Sequence, residues 1–353
     1  MWLSRFVLRC AAPALLVLGL GACATQPPGQ VEVGVGTQTP VASKASDYAA
    51  LYVPYAMMAT AAYTKPSGLN PNYCPDAIML GHLVVGESAS DRDFREKIRR
   101  WVIDLNAHGW QCHSGVIGSL KCPRKLGPDC NPVGGLEFNV WQRKQGNVCR
   151  EVVIAFRGTD VNDFGDWISN FRWLYRLVPR FDQYAQVQDH ISGIVRHLKR
   201  ECGSAATQFV SAGHSLGGGL AQQAAYADKA GSIHYVYAFD PSPVTGFFDV
   251  SELVRAHSTR GLGIDRAYEA GEILALPRLL VENIFPPASC HPRIRMVRFN
   301  VLMGLPLAQH SMADLTEKML VAGRTPGANP RRVDDSMKAR SCAEPPPLIL
   351  PPA

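Results

Sequence analysis

One run constrains this chain more than any other: Phe209-Val210-Ser211-Ala212-Gly213-His214-Ser215-Leu216-Gly217-Gly218. It reads as an apolar strand, then G-x-S-x-G, then a helix opening on glycine and alanine. This is the pattern of a nucleophile elbow. A strand that turns this sharply into a helix leaves no room for side chains beside the serine, so Gly213 and Gly217 flank it. The turn pushes the Ser215 hydroxyl outward, and the N-terminus of the following helix faces any negative charge that develops there. G-x-S-x-G alone also occurs in loops without chemistry. Here the strand before it and the small residues Gly218, Gly219, Ala221, Ala224 and Ala225 after it supply the context, because they let the helix lie close on a sheet.

A chain of 353 residues suits one large α/β domain with insertions and tails. Arg5 and Arg9 precede an apolar run from Ala11 through Leu20, which is too short for a preferred membrane span and fits a signal-peptide core. The run ends in Leu20-Gly21-Ala22-Cys23, which resembles the lipobox of bacterial lipoproteins. That resemblance implies a signal peptide over 1–22 and lipid attachment at Cys23, with an ordinary secretory signal as the alternative. It places the protein in the bacterial cell envelope. Ala24 after the cysteine implies the outer membrane, facing periplasm or exterior. Residues 23–46 are polar with Pro and Gly and read as a flexible tether. Residues 324–353 read as a Pro-rich tail, leaving 47–323 as the domain.

Loss of Met1–Ala22 removes two arginines and no acids, so the net charge falls from +6 to +4. The basic residues are scattered, which gives no nucleic-acid footprint. Of ten cysteines, eight remain beyond Cys10 and Cys23, and Cys74, Cys112, Cys122, Cys130 and Cys149 fall in one stretch. In an exported protein this predicts disulfides stapling an insertion at about 70–132, ahead of the central strands. No cysteine pair has the C-x-x-C spacing of a zinc site. Cys290 and Cys342 are candidates for tying the tail to the domain.

Residues Tyr48 to Tyr63 read as a buried helix with Pro54 near its start, and a second helix is expected near Asp91–Asn106. Leu136–Trp141 alternates and Val152–Phe156 is continuously apolar, predicting a hairpin around Lys144–Asn147. Tyr184, Val187, Ile191, Ile194, Val195 and Leu198 recur at helical spacing before the elbow strand. Ile233–Phe239 is the next strand, and Arg266–Leu276 and Arg295–Leu302 are two further candidates. Strands alternating with helices predict an α/β fold with a largely parallel sheet.

From Tyr48 to Leu320 the chain resembles the class 3 lipases, the family of the fungal triacylglycerol lipases. The resemblance rests on the early Ala/Tyr helix, on Val153-Ile154-Ala155-Phe156-Arg157-Gly158-Thr159, on Asp166-Trp167 with Asn170, and on the elbow. The Cys-rich insertion departs from the family pattern. The resemblance implies an α/β-hydrolase fold with Ser215 as nucleophile. It also implies an oxyanion hole from the backbone N–H groups of Leu216 and Thr159. The base must follow the acid in chain order. His310, on a loop after a predicted strand, is preferred to His291. His214, adjacent to the serine, is expected to point away from it, and His234 to pack within a strand. For the acid, Glu272 in Glu272–Pro277 lines up with the family's Asp-Ile-Val-Pro segment. Asp240, in Phe239-Asp240-Pro241, matches the acid position of pancreatic-type lipases, and Asp265 ranks third. The aromatic stretch with Trp167, Phe171, Trp173 and Tyr175 falls where fungal relatives carry a mobile lid. A segment packed on the core is the alternative.

These readings converge on a serine hydrolase of lipid carboxylic esters, a triacylglycerol lipase or A-type phospholipase, tethered to a membrane through Cys23. The expected chemistry uses no metal or organic cofactor. Two other readings stay open: a non-catalytic envelope lipoprotein that uses the fold for binding, and an esterase, thioesterase or peptidase with the same triad.

Overall fold

The apolar runs between Val148 and Phe299 become the parallel centre of one sheet. A computed structural model describes residues 27–64, 74–75, 77–81, 87–114, 136–146, 148–158, 183–202 and 207–324. Its strands are β1 (Gln30–Val35), β2 (Val41–Lys44), β3 (Trp110–His113), β4 (Phe138–Gln145), β5 (Val148–Phe156), β6 (Gln208–His214), β7 (Ile233–Phe239), β8 (Gly263–Glu269) and β9 (Arg293–Phe299). They form a nine-stranded sheet in the order β2-β1-β9-β8-β7-β6-β5-β4-β3. Strands β5 to β9 are parallel and in chain order, while β1, β2, β3 and β4 add antiparallel edges.

The helices are α1 (Ala45–Ala61), α2 (Ala77–Leu80), α3 (Ala89–Ala107), α4 (Gln183–Cys202), α5 (Leu216–Ala227), α6 (Glu252–Ser258), α7 (Ala275–Ile284) and α8 (Met312–Gly323). They cover both faces. On one face α1, α3 and α8 pack on Trp141, Val153, Val210 and Tyr237; on the other, α4 and α5 pack on Val140, Val152, Phe209 and Val236. A central strand buried on both faces has no reason to alternate apolar with polar, so β5 reads as a continuous apolar run. This mixed sheet, with the serine at the end of a central parallel strand, is an α/β-hydrolase fold.

Helix α4 follows its predicted period, with Tyr184, Val187, Ile191, Ile194, Val195 and Leu198 all buried. Helix α1 starts three residues before Tyr48, so Pro54 lies well inside it. The helix is nearly apolar all round and is held by burial, with the Thr60 hydroxyl bonded to that of Thr316 on α8 at 2.9 Å.

Three expectations are corrected. The proposed tether over 23–46 contains β1 and β2, with Val31, Val33 and Val35 buried and β1 paired along β9. The alternation Val-Glu-Val-Gly-Val is a period-2 strand signal that the polar composition around it hides. The strand expected over Arg266–Leu276 is β8 and stops at Glu269. The chain then turns, and α7 begins at Ala275. The disulfides do not all stay inside the insertion. Cys74 pairs with Cys112, but Cys149 pairs with Cys202, tying the start of β5 to the end of α4. Cys290 is disulfide-bonded. Cys342, its expected partner, lies outside the described residues, as do Cys122, Cys130, Cys23 with the rest of 1–26, and the tail from 325.

Candidate active site

The elbow has the backbone its sequence predicts. Ser215 sits at φ 56° and ψ −123°, a left-handed conformation costly for a residue with a side chain. Its N–H donates to the Phe239 carbonyl at 3.0 Å, and its carbonyl accepts from the Gly218 N–H at 3.0 Å. A Cβ on Gly213 would lie 2.2 Å from the Gly217 oxygen, and one on Gly217 would lie 2.3 Å from the Phe156 oxygen. Only glycine admits approaches this close, so the two flanking glycines are dictated by backbone packing. Leu216 opens α5, which directs the N-terminus of that helix past the serine.

The chain carrying the other oxyanion candidate lies against the elbow. A Cβ on Gly158 would come within 2.6 Å of the His214 carbonyl oxygen and 2.3 Å of the Tyr63 hydroxyl. Arg157 is tied down by an ion pair with Glu137. Thr159 itself, and Trp167, Phe171, Trp173 and Tyr175, lie outside the described residues.

His310 ends a single turn of 3-10 helix after β9, and Glu272 sits in the turn after β8. Both are buried, and His310 Nδ1 lies 2.8 Å from Glu272 Oε2. The same carboxylate accepts from the Leu274 N–H at 2.7 Å and from Arg278 Nη2 at 2.5 Å. Burial pushes the Glu272 carboxyl up. The Arg278 charge, the His310 contact and the Leu274 N–H outweigh it and hold the group below its usual range. Glu272 is therefore an anion fixed against the imidazole.

Asp240, the rival acid, is fully buried at the end of β7 with φ 37°. Its Oδ1 accepts from the Glu269 N–H at 2.7 Å, and its Oδ2 lies 3.9 Å from His214 Nε2. Burial, followed by the nearby Glu272 charge, pushes its carboxyl well above the ordinary range, which disfavours its charged form. Asp265, the third candidate, lies within β8, where it is bonded to Arg295 and to the Tyr52 hydroxyl, the latter at 3.0 Å. That buried cluster joins α1 to the sheet and lies away from the strand ends.

His214 lies beside the candidate pair. Its ring packs 4.6 Å from the His310 ring, and its Nδ1 lies 2.8 Å from the Tyr63 hydroxyl. Burial, then the neighbouring His310, pushes it well below the usual imidazole range, which keeps it neutral. Ligating atoms of His214, Asp240 and His310 come within 4.8 Å of one another. His291 lies before β9, next to a cis bond to Pro292, in a cavity also lined by Arg278 and Pro241. His234 is exposed on β7, where a packed side chain was expected. Sequence reading missed Tyr63, Arg278 and Glu269. Tyr63 closes the early Ala/Tyr helix, while Glu269 and Arg278 lie in no motif and reach the site through the end of β8 and the first turn of α7.

Residues 126–235 match a family model described as phospholipase-like, the Tle-like phospholipase domain. The matched stretch carries β4, β5, β6, the elbow and α5, whereas Glu272 and His310 lie beyond it. Among solved structures the chain is similar to lipase II from Rhizopus niveus, at 14% identity over 66% of this chain and 76% of that one, with a TM-score of 0.35. No curated protein matches the sequence.

Proposed function

We propose that the protein is a serine hydrolase of lipid carboxylic esters, a triacylglycerol lipase or A-type phospholipase, working through Ser215, His310 and Glu272. The observation that carries this is the buried contact between His310 and an ionised Glu272, on the two loops that follow β8 and β9. With Ser215 on the elbow after β6, the three residues have the chain order nucleophile, acid, base that this fold requires.

In this reading His310 Nε2 takes the Ser215 proton as Oγ attacks the acyl carbonyl carbon. Glu272 fixes the tautomer and stabilises the imidazolium. The oxyanion faces the N–H groups of Leu216 and Thr159, each such donor contributing about 10²–10³ in rate. Collapse expels the alcohol, which His310 protonates. Water, deprotonated by the same imidazole, then releases the fatty acid and regenerates Ser215. The phospholipase-like match favours a lipid ester. A lipid anchor at Cys23 in the bacterial envelope would hold the site near phospholipid, and the aromatic stretch 164–181 would meet acyl chains.

The test is hydrolysis of p-nitrophenyl esters of increasing chain length, and of phospholipid vesicles, by wild type and Ser215→Ala. Turnover that rises with chain length and disappears in the variant is the expected result. Folded wild-type protein with no turnover on any ester would sink the proposal in favour of a binding protein.

A further inference from the structure

Away from the strand ends, a second cluster of side chains has the composition of a metal site. His113 is the last residue of β3, and His197 and Glu201 lie one turn apart on α4. His113 Nε2 is 2.9 Å from Glu201 Oε2, and His197 Nε2 is 3.2 Å from Glu201 Oε1. Their ligating atoms all fall within 4.8 Å of one another. Ligands bound tetrahedrally to Zn²⁺ at about 2.0–2.1 Å lie about 3.3 Å apart, so small side-chain adjustments bring the three onto one ion. The side chains are 30%, 21% and 38% exposed respectively, which leaves a path for entry and a place for a bound water.

The backbone beneath them is pinned on both sides. Cys112, before His113, is bonded to Cys74; Cys202, after Glu201, is bonded to Cys149. Two covalent staples thus fix the edge strand and the helix end that carry the ligands. This lowers the ordering cost of binding.

We propose that His113, His197 and Glu201 bind a first-row divalent cation of the Zn²⁺ class. The ion serves as a clasp between the insertion and the main domain, separate from the ester-cleaving site. Two imidazoles and one carboxylate suit Zn²⁺, Co²⁺ or Ni²⁺ and suit Mg²⁺ or Ca²⁺ poorly, since those prefer all-oxygen sets. The proposal does not depend on the hydrolase reading.

The test is titration of the folded full chain, cleared with a chelator, with Zn²⁺ in a calorimeter and with Co²⁺ by its visible absorption. Wild type should bind one ion with micromolar or tighter affinity, lose it to chelator, and melt at a higher temperature when loaded. His113→Ala, His197→Ala and Glu201→Gln should each weaken binding at least tenfold and remove the melting shift, with ester turnover unchanged. Circular dichroism confirms that each variant is folded. The proposal is overturned by millimolar affinity, by Mg²⁺ or Ca²⁺ competing as well as Zn²⁺, or by full affinity in folded His197→Ala. Binding that is lost in His310→Ala but kept in His197→Ala also overturns it, because the ion then sits at His214, Asp240 and His310.

Discussion

Glu272→Gln and Asp240→Asn should separate sharply. Glu272 is the charged partner of His310 at 2.8 Å, and the amide keeps the shape while removing the charge. A neutral amide neither enforces the tautomer that accepts the serine proton nor stabilises the imidazolium. In triads of this kind, loss of the acid's charge costs about 10⁴ in kcat. That is about 5 kcal/mol of transition-state stabilisation at 1.36 kcal/mol per tenfold. Burial and the Glu272 charge push the Asp240 carboxyl well above its ordinary range, so the fold disfavours a charge there. Asp240→Asn keeps the shape and removes only a charge that the fold already disfavours. Its amide oxygen still accepts from the Glu269 N–H, so kcat should change by less than about threefold.

The assay is initial-rate hydrolysis of a soluble short-chain ester at pH 8, with a thermal melt for each variant. The melt matters because Arg278 is buried against Glu272 at 2.5 Å. Breaking such a pair costs about 3–5 kcal/mol of stability, and an unfolded variant would mimic a catalytic loss. If folded Asp240→Asn loses a thousandfold while Glu272→Gln stays near wild type, Asp240 is the acid. The assignment from burial and charge is then wrong.

Two further outcomes follow from the buried charges. Asp265→Ala strands Arg295 in the core, so the chemical-denaturation midpoint should fall by the equivalent of about 3–5 kcal/mol while kcat of the folded fraction is retained. A loss of kcat in that fraction would put Asp265 in the site. Burial pushes the Glu269 carboxyl from 4.5 up to about 7, although it accepts from the Val301 N–H. The folded state then binds more protons than the unfolded one between those values. Stability should fall as pH rises from about 4.5 through 7, by on the order of 3 kcal/mol. Glu269→Gln should flatten that dependence in urea denaturation measured from pH 4.5 to 8. An unchanged slope would refute the shift.

Elements whose period matches their burial are legible from residue order alone. The alternation in Leu136–Trp141, the apolar run Val152–Phe156 and the helical spacing from Tyr184 to Leu198 each form the expected element, although β4 is covered on both faces and buries Asn139 as well. The elbow is legible because steric exclusion acts within five consecutive residues. Strand β1 is not, since its pairing along one edge comes from β9, far away in the chain, and β2 forms only on β1. The turn after β8 reads falsely as strand for a similar reason. Leu274, Ala275 and Leu276 have strand-like apolarity, but the Glu272 side chain captures the Leu274 N–H and the chain continues into α7. The environment of His214 is illegible too, because strand alternation predicts its direction but not that His310 arrives from beyond β9 to meet it.

The choice between the two carboxylates cannot be made from motifs for a deeper reason. Adjacent parallel strands deliver their C-terminal ends to the same edge, so β7 and β8 bring Asp240 and Glu272 into one buried volume. Two carboxylates desolvated together cannot both ionise cheaply. Whichever has the better cation and more N–H donors takes the charge. Arg278, one turn into α7, bonds Glu272 through Nη2 and turns Nε to the Pro241 carbonyl at 3.2 Å. Glu272 gains the full charge pair and the Leu274 N–H, while Asp240 gains a single N–H from Glu269. One guanidinium thus favours the charge on Glu272, and its effect is visible only when the turn after β8 and the first turn of α7 are seen together. On this argument, shortening the reach of that cation by Arg278→Lys should narrow the gap between the two acids. The activity remaining in Glu272→Gln would then depend on Asp240, which Glu272→Gln/Asp240→Asn in the lysine background would reveal as a further loss of at least tenfold. Additive, unchanged losses in that triple variant would show that Arg278 does not set the choice.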